Sequence, residues 1–281
     1  VSETAGGAKL DQWLRATTAR LASVSDTPRL DAELLAAHAL GLSCQEMILA
    51  MPGLVAPQAG EALIDRRLAH EPLAYIIGTR DFWTLSLRVT PDVLIPRADS
   101  ETLIEAAIDF FGADRAPARI LDLGTGSGAL LLAALDHWPD AKGLGVDASP
   151  AALAVAGENV QRCGMADRAH MRPGNWGADI DEQFDLILCN PPYIALDAPL
   201  APDVRDHEPA QALFAGADGL DDYKILAGQL GALLAPEGVA IFEIGYDQGE
   251  TAAALFREQG FAVDLRHDLA GHPRALIVTL S

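Results

Sequence analysis

The sequence predicts an α/β fold: a mostly parallel sheet with helices on both faces, preceded by a small helical bundle and a β-hairpin. Three observations carry that prediction. From about Leu10 to Gly78, apolar residues recur at spacings of three and four, the period of short amphipathic helices. Residues 81–97 change to strict alternation, the period of a strand. Beyond Ala118, short apolar runs are separated by longer amphipathic stretches, the strand–helix–strand order of a parallel sheet.

In the first segment the inward faces are marked by Leu10, Trp13 and Leu14, by Leu30, Leu34, Leu35 and His38, and by Leu63, Ile64 and Leu68. Breaks at Pro28, Gly41, Pro52-Gly53 and Pro57 divide it into about four or five short helices. Asp26-Thr27-Pro28 and Ser43 read as helix starts, because their side-chain oxygens can accept from free backbone N–H groups. Residues 1–80 hold no nucleophile with a base partner at recognisable spacing, so this domain is expected to bind or position a substrate and not to do chemistry.

Residues 81–97 form the expected linker. Phe82, Thr84, Ser86 and Arg88 alternate with Trp83, Leu85, Leu87 and Val89, and Thr90-Pro91-Asp92 is the expected turn before Val93-Leu94-Ile95. The remaining domain, 98–281, opens with a helix from Ser100 to Phe111 that turns Leu103, Ile104, Ala107 and Ile108 inward. Strands are expected near 119–123, 143–147, 169–172, 184–189, 238–244, 261–267 and 274–280, with helices near 128–137, 150–163, 221–234 and 249–259. Only Gly271-His272-Pro273 separates the last two strands, too short for a crossover, so the last strand should run antiparallel. Ile194 to Leu220 has no pattern, and loops of that length in compact domains are usually functional.

With 281 residues, half of them hydrophobic, a sizeable core is available. No apolar run approaches the roughly 18 residues of a membrane span. Val1 to Leu10 lacks the basic and apolar regions of a signal peptide, so a cytoplasmic location without membrane contact is expected. The net charge of −20 is uneven: Asp and Glu outnumber Lys and Arg by 9 to 7 over residues 1–80 but by 31 to 13 over 81–281. Such a surface repels phosphate backbones, and no local basic patch offsets it, which argues against a nucleic-acid duplex as partner. Cys44, Cys163 and Cys189 are widely spaced and form no CxxC pair, so each reads as a small buried hydrophobe. The seven histidines make no HxxxH or HExxH pattern and no metal is expected. No Ser, His and acid constellation announces a hydrolase.

The chemistry is expected in two motifs. Gly124, Thr125, Gly126, Ser127 and Gly128 lie between a strand and a helix, where glycines permit a tight turn and close approach of a ligand to the backbone. Their spacing is GxGxG, not the GxGxxG of dinucleotide sites, and no phosphate loop is present. Asp147 ends the second strand of this domain, where a carboxylate can accept both hydroxyls of a ribose. Asp122 has two readings of equal weight, a helix cap or a group facing the amino group of a cofactor. Trp176, in the loop Gly174-Asn175-Trp176-Gly177, is a surface aromatic or packs on an adenine ring.

The second motif is Asn190-Pro191-Pro192-Tyr193, directly after the apolar run 184–189. With the glycine turn it points to methyl transfer onto a planar nitrogen. An amide or exocyclic amine nitrogen delocalises its lone pair, so it is a poor nucleophile until acceptors hold its two hydrogens. An Asn side-chain oxygen and the carbonyl of the following Pro can supply both, and the prolines stiffen the backbone so that the acceptors are aimed in advance. Tyr193 offers a flat face for a planar group.

On these residues the chain resembles the release-factor glutamine N5-methyltransferases, the HemK/PrmC family of class I S-adenosylmethionine-dependent methyltransferases. The resemblance includes Pro72 to Gly78, Phe82-Trp83, Leu94-Ile95-Pro96-Arg97 with Glu101, Asp122 to Gly128, Asp147, Asn190 to Tyr193, Glu208-Pro209 with Ala212-Leu213, and Glu243-Ile244-Gly245. Ala98-Asp99 stands where the family more often has Pro followed by an acid, a departure that removes no group the chemistry needs. The resemblance implies a Rossmann-like seven-stranded class I methyltransferase sheet. It implies that residues 124–128 and Asp147 bind S-adenosylmethionine, with Trp176 near the adenine and Asn190 near the methyl donor. Residues 190–193 would hold the glutamine, S-adenosylhomocysteine would be the product, and the partner would be the Gly-Gly-Gln loop of class I peptide-chain release factors in translation termination. A nucleic-acid adenine N6-methyltransferase shares the Asn-Pro-Pro-Tyr motif but is disfavoured by the charge. A cofactor-binding scaffold without catalysis is disfavoured because the motif is intact.

Overall fold

The computed structural model describes residues 8–281; residues 1–7, most of the stretch in which no signal peptide is expected, lie outside the described residues. The chain divides into two compact units, Val1–Gly78 with Ala201–His207, and Thr79–Leu200 with Glu208–Ser281.

The first unit contains α1 (Leu10–Leu21), α2 (Pro28–Leu40), α3 (Cys44–Ala50), α4 (Gly60–Leu68) and α5 (Leu73–Ile77). Leu10, Trp13, Leu14, Leu21, Leu35, Met47 and Ile64 form one apolar cluster. Ser43 caps α3 as expected: its Oγ accepts from Glu46 N at 3.2 Å while Glu46 Oε2 accepts from Ser43 N at 2.8 Å, a reciprocal capping box. Thr27 makes no such cap, and Pro28 at the first turn of α2 has no N–H to satisfy. The buried face of α2 differs from the expected one: Asp31, Ala32, Leu35, Ala36 and Ala37 are inside, while Leu30 and His38 are exposed. The cause is an ion pair the periodicity does not count. Arg67 Nε donates to Asp31 Oδ2 at 2.9 Å and Arg67 Nη2 donates to Val24 O at 2.9 Å, so Asp31 turns inward and the small alanines follow. Removing one partner would strand a buried charge.

The second unit opens with the hairpin β1 (Thr79–Phe82) and β2 (Leu85–Arg88). Its reversal is at Trp83-Thr84, not at Thr90-Pro91-Asp92 as expected. Alternation marks the two faces but not where a chain turns back, and no Gly or Asn signals this turn. Trp83 adopts φ 56°, unusual for a bulky residue, and its N–H donates to Glu101 Oε1 at 2.8 Å. Residues 93–97 form no strand.

After α6 (Glu101–Phe111) come β3 (Arg119–Leu123), α7 (Ala129–His137), β4 (Lys142–Asp147), α8 (Pro150–Arg162), β5 (Ala169–Pro173) and β6 (Phe184–Cys189). The unpatterned stretch contains α9 (Pro202–His207), grouped with the helical unit, and a short 3-10 turn at Ala210–Ala212. Then follow α10 (Asp221–Leu233), β7 (Leu234–Glu243), α11 (Gly249–Glu258), β8 (Phe261–His267) and β9 (Pro273–Leu280). The seven strands order as β5-β4-β3-β6-β7-β9-β8; the last strand, β9, is antiparallel to both neighbours, as expected.

Both sheet faces are buried, which explains the continuous apolar runs. In β6, Leu186 and Leu188 pack with α6 and α7 on one face, while Ile187 and Cys189 pack with α10 and α11 on the other. Cys189 is buried as expected, but Cys44 and Cys163 are only half-buried; all three are free thiols. Among the described residues no single helix is long and apolar enough to cross a membrane.

Candidate active site

The chain winds from β3 outward through β4 and β5, then returns to place β6 on the other side of β3. Between β3 and β6 the strand order reverses, so the connections from their carboxyl ends lead to opposite sides, towards β4 and towards β7, and such a switch point is the usual ligand position in these sheets. Strand register then sets what meets there. Leu123 pairs with Val146 and with Cys189, and Cys189 pairs with Phe242. One step further along, Gly124, Asp147, Asn190 and Glu243 therefore share one row at the carboxyl edge.

A cavity of about 300 Å³ opens along this row. Its wall includes Gly124, Thr125, Gly126, Ser127, Asp147, Trp176, Asn190 and Pro192, eight of the expected site residues. Gly128, Pro191 and Tyr193 are not part of that wall. Gly128 caps the start of α7 at φ 84°, just before its first residue, and Pro191 is buried.

On the glycine-turn side, Gly124 stands at φ 72°, and a Cβ there would lie 3.0 Å from Trp176 Cζ3, so glycine both permits the backbone and leaves room for the indole. Trp176 itself takes φ 53°, and its Nε1 donates to Asp222 Oδ1 at 3.2 Å. Asp147 accepts from Gly126 N and from Ser149 N, each at 2.8 Å, and so ties the turn to the start of α8. The capping reading of Asp122 holds. It lines the cavity and also caps α7 from across the turn, accepting from Thr125 Oγ1 at 2.6 Å and from the Leu131 backbone. Burial pushes its carboxyl up to about 7, against the bonds from Thr125 and Leu131.

The Asn190 side is a buried polar network. Asn190 Nδ2 donates to Ser100 Oγ at 3.4 Å, and Ser100 Oγ donates to Glu243 Oε2 in a very short bond. The other carboxylate oxygen, Glu243 Oε1, accepts from Tyr193 OH at 3.3 Å. Burial raises the Glu243 carboxyl, opposed by Ser100, Arg274 and Tyr193, and burial likewise raises the Tyr193 phenol, so that hydroxyl keeps its proton to donate. Gln248 Nε2 donates to Tyr193 O at 2.9 Å and fixes the backbone after the motif.

The far wall comes from the segments around Ile-Pro-Arg and Glu208-Pro209. Glu208 is buried; it accepts from Ile95 N at 3.3 Å and from Arg97 Nη2 in a short ion pair. This clasp holds Leu94 and Pro96 beside Pro209, Gln211 and Ala212, all of which line the cavity.

The N-terminal residues 12–78 match the model described as PrmC N-terminal domain, and residues 105–204 match the methyltransferase small domain. The chain is 46% identical over 258 residues to a release factor glutamine methyltransferase of Rhodospirillum rubrum, covering 90% of this chain and 79% of that protein. It is 43% identical to the enzyme of that name from Cereibacter sphaeroides, covering 95% and 97%. The chain belongs to the release factor glutamine methyltransferase family. Solved structures share the fold alone. The hMettl16 catalytic domain in complex with MAT2A 3′UTR hairpin 6 aligns at TM-score 0.58 and 17% identity over 77% of this chain and 82% of that one. Ribosomal protein L11 methylase from Lactobacillus delbrueckii subsp. bulgaricus aligns at 0.50 and 24% over 66% and 80%. The sheet is thus the seven-stranded class I methyltransferase sheet.

Within this methyltransferase, sequence reasoning missed the parts Ser100, Asp222 and Gln211 play in the cavity wall and the joining of Glu243 to Asn190. Glu243 did leave a signal: a single carboxylate ends the run Val239-Ala240-Ile241-Phe242, and a charge in a buried strand needs partners. Ser100 left none, since a Ser before a helix reads first as a cap.

Proposed function

We propose that this enzyme transfers the methyl group of S-adenosylmethionine to the side-chain amide nitrogen, N5, of the glutamine in the Gly-Gly-Gln motif of class I peptide-chain release factors, in the cytoplasm. The observation that carries the proposal is the row Asp147, Gly124 and Asn190 along one cavity, in a chain whose relatives are named release factor glutamine methyltransferase.

The residues present fit the cofactor. The cavity wall contains Asp92, Asp122, Asp147 and Asp222 and neither Lys nor Arg, which suits a ligand carrying sulfonium and ammonium charges and repels a phosphate-bearing one. Asp147 would hold the ribose hydroxyls, Trp176 would cover the adenine, and residues 124–127 would admit the ligand close to the backbone. When bound, the cofactor supplies an electrophilic methyl group.

The protein's part is acceptance and orientation. Asn190 Oδ1 and the Pro191 carbonyl accept the two amide hydrogens of the glutamine, which weakens delocalisation of the nitrogen lone pair. As the new N–CH₃ bond forms, the nitrogen becomes positive and its protons become acidic, so both acceptors bind the transition state more strongly than the neutral amide. One of these protons leaves to water after the transfer, so the product is the neutral N-methyl amide and no strong base is required. Alignment of the two reactants can contribute about 7 to 11 kcal/mol of the barrier reduction. Tyr193, with its hydroxyl held by Glu243, stiffens the end of the motif. The helical unit docks the protein substrate.

The test offers a Gly-Gly-Gln release factor and an adenine-containing DNA duplex, separately, with methyl-labelled S-adenosylmethionine, followed by mass spectrometry. One methyl on the Gly-Gly-Gln glutamine is expected. Label in the duplex alone would overturn the substrate assignment.

A further inference from the structure

We propose that the buried Ser100–Glu243 pair is a positioning device that dictates which way the Asn190 carboxamide faces, presenting its Oδ1 and not its Nδ2 to the substrate glutamine. The inference rests on the reading of Asn190 as an amide acceptor.

The two ends of a carboxamide are almost the same size, so packing alone does not choose between them; the donors and acceptors around it do. Glu243, 1% exposed, ends β7 beside β6, and both of its oxygens stand as acceptors, Oε2 towards Ser100 Oγ and Oε1 towards Tyr193 OH. Ser100, 3% exposed, has one hydroxyl proton, and the short bond to Glu243 Oε2 uses it. Towards Asn190, Ser100 Oγ can then only accept. Asn190 must therefore turn its NH₂ to Ser100, as the 3.4 Å contact records, and no described residue donates to its Oδ1. The oxygen is left for the cavity wall to which Asn190 belongs.

A flipped Asn190 would set its NH₂ against the NH₂ of a glutamine, donor against donor. It would also accommodate a glutamate carboxylate, so the same device favours glutamine over glutamate. The second oxygen of Glu243 holds Tyr193 OH at 3.3 Å, and Tyr223 OH donates to Glu243 O at 2.7 Å, so one carboxylate on an anchored backbone fixes both ends of the motif. Ser100 and Glu243 are 143 positions apart and meet through the packing of α6 and its preceding turn on β7.

Steady-state methylation of a release factor by wild type, S100A, S100T, E243Q and N190A tests this, with cofactor affinity by calorimetry and a thermal melt for each. S100A should lower kcat by about 10-fold or more while cofactor affinity stays within about 2-fold, the scale for misplacing a group at the reacting centre. S100T, which keeps the hydroxyl, should restore most of the rate. E243Q should also lower kcat, because a carboxamide can donate to Ser100 and release its proton towards Asn190 Oδ1. If S100A folds poorly, the E243Q rate and the S100T rescue decide. Wild-type kcat in S100A or in E243Q, with N190A inactive, overturns the positioning inference and leaves Asn190 in its role. S100T as slow as S100A would make the position one of packing only and overturns it as well. Wild-type turnover in N190A overturns the reading on which the inference rests.

Discussion

Replacing Asn159 by Ala removes a side chain that joins the hairpin, α8 and the glycine turn. Asn159 is fully buried; its Oδ1 accepts from Arg88 N at 2.7 Å, and its Nδ2 donates to Arg88 O at 3.0 Å and to Ser127 O at 2.9 Å. The carboxamide thus pairs with both backbone groups of Arg88 as a neighbouring strand would. Alanine leaves one donor and two acceptors without partners, each costing about 1 to 3 kcal/mol if it stays dry. Arg88 sits on an exposed strand where water can replace part of the loss, so the low end applies and the total is about 3 kcal/mol. Urea unfolding should give that loss with an unchanged slope, and hydrogen exchange should show the Arg88 amide losing its protection. Cofactor affinity should also fall, because Ser127 O is released from its anchor within the turn. A loss below about 1 kcal/mol with Arg88 still protected would refute the reasoning, since a buried group satisfied at both ends must cost more than that to remove.

Three further outcomes are expected. Asp147→Ala should weaken S-adenosylmethionine binding by about 10-fold or more, the worth of a charge-assisted hydrogen bond; wild-type affinity in calorimetry would remove Asp147 from the site. Gly124→Ala should cost about 1 to 2 kcal/mol from a left-handed backbone alone and displace Trp176, seen as changed tryptophan emission and weaker cofactor binding; an unchanged spectrum and affinity would count against the close approach. The Asp122 carboxyl is raised from 3.8 to about 7 by burial, so the folded state holds this proton longer than the unfolded one. Its stabilising contribution is fully present below about pH 4 and is lost as pH rises through about 7. Asp122→Asn should therefore flatten the fall of melting temperature over that range, and an unaltered slope would show that Asp122 titrates normally.

Several parts of the site were legible because they are local. The glycine turn needs left-handed backbone at three alternate positions, and the rigid Asn-Pro-Pro unit follows an apolar strand; both requirements are written in adjacent residues. The turn of the hairpin was not legible, because Trp83 takes a conformation its side chain disfavours and is held there by Glu101, 18 positions away. The buried face of α2 was misplaced for the same kind of reason, since Arg67 lies 36 positions from the Asp31 it draws inward.

The sequence by itself determined the periods of the strands and helices, the reversed last strand, the glycine turn, Asp147 and the Asn-Pro-Pro-Tyr motif. Each follows from backbone sterics or side-chain spacing over a few residues. Only the tertiary structure decided which of these stand side by side. Pairing of β3 with both β4 and β6, and of β6 with β7, brings Gly124, Asp147, Asn190 and Glu243 into one row. The packing that brings Ser100 to Glu243 then supplies the hydrogen-bond partners of Asn190. Such contacts depend on register between segments a hundred or more residues apart, and that register is set by burying two apolar faces at once, a condition no local stretch of sequence contains.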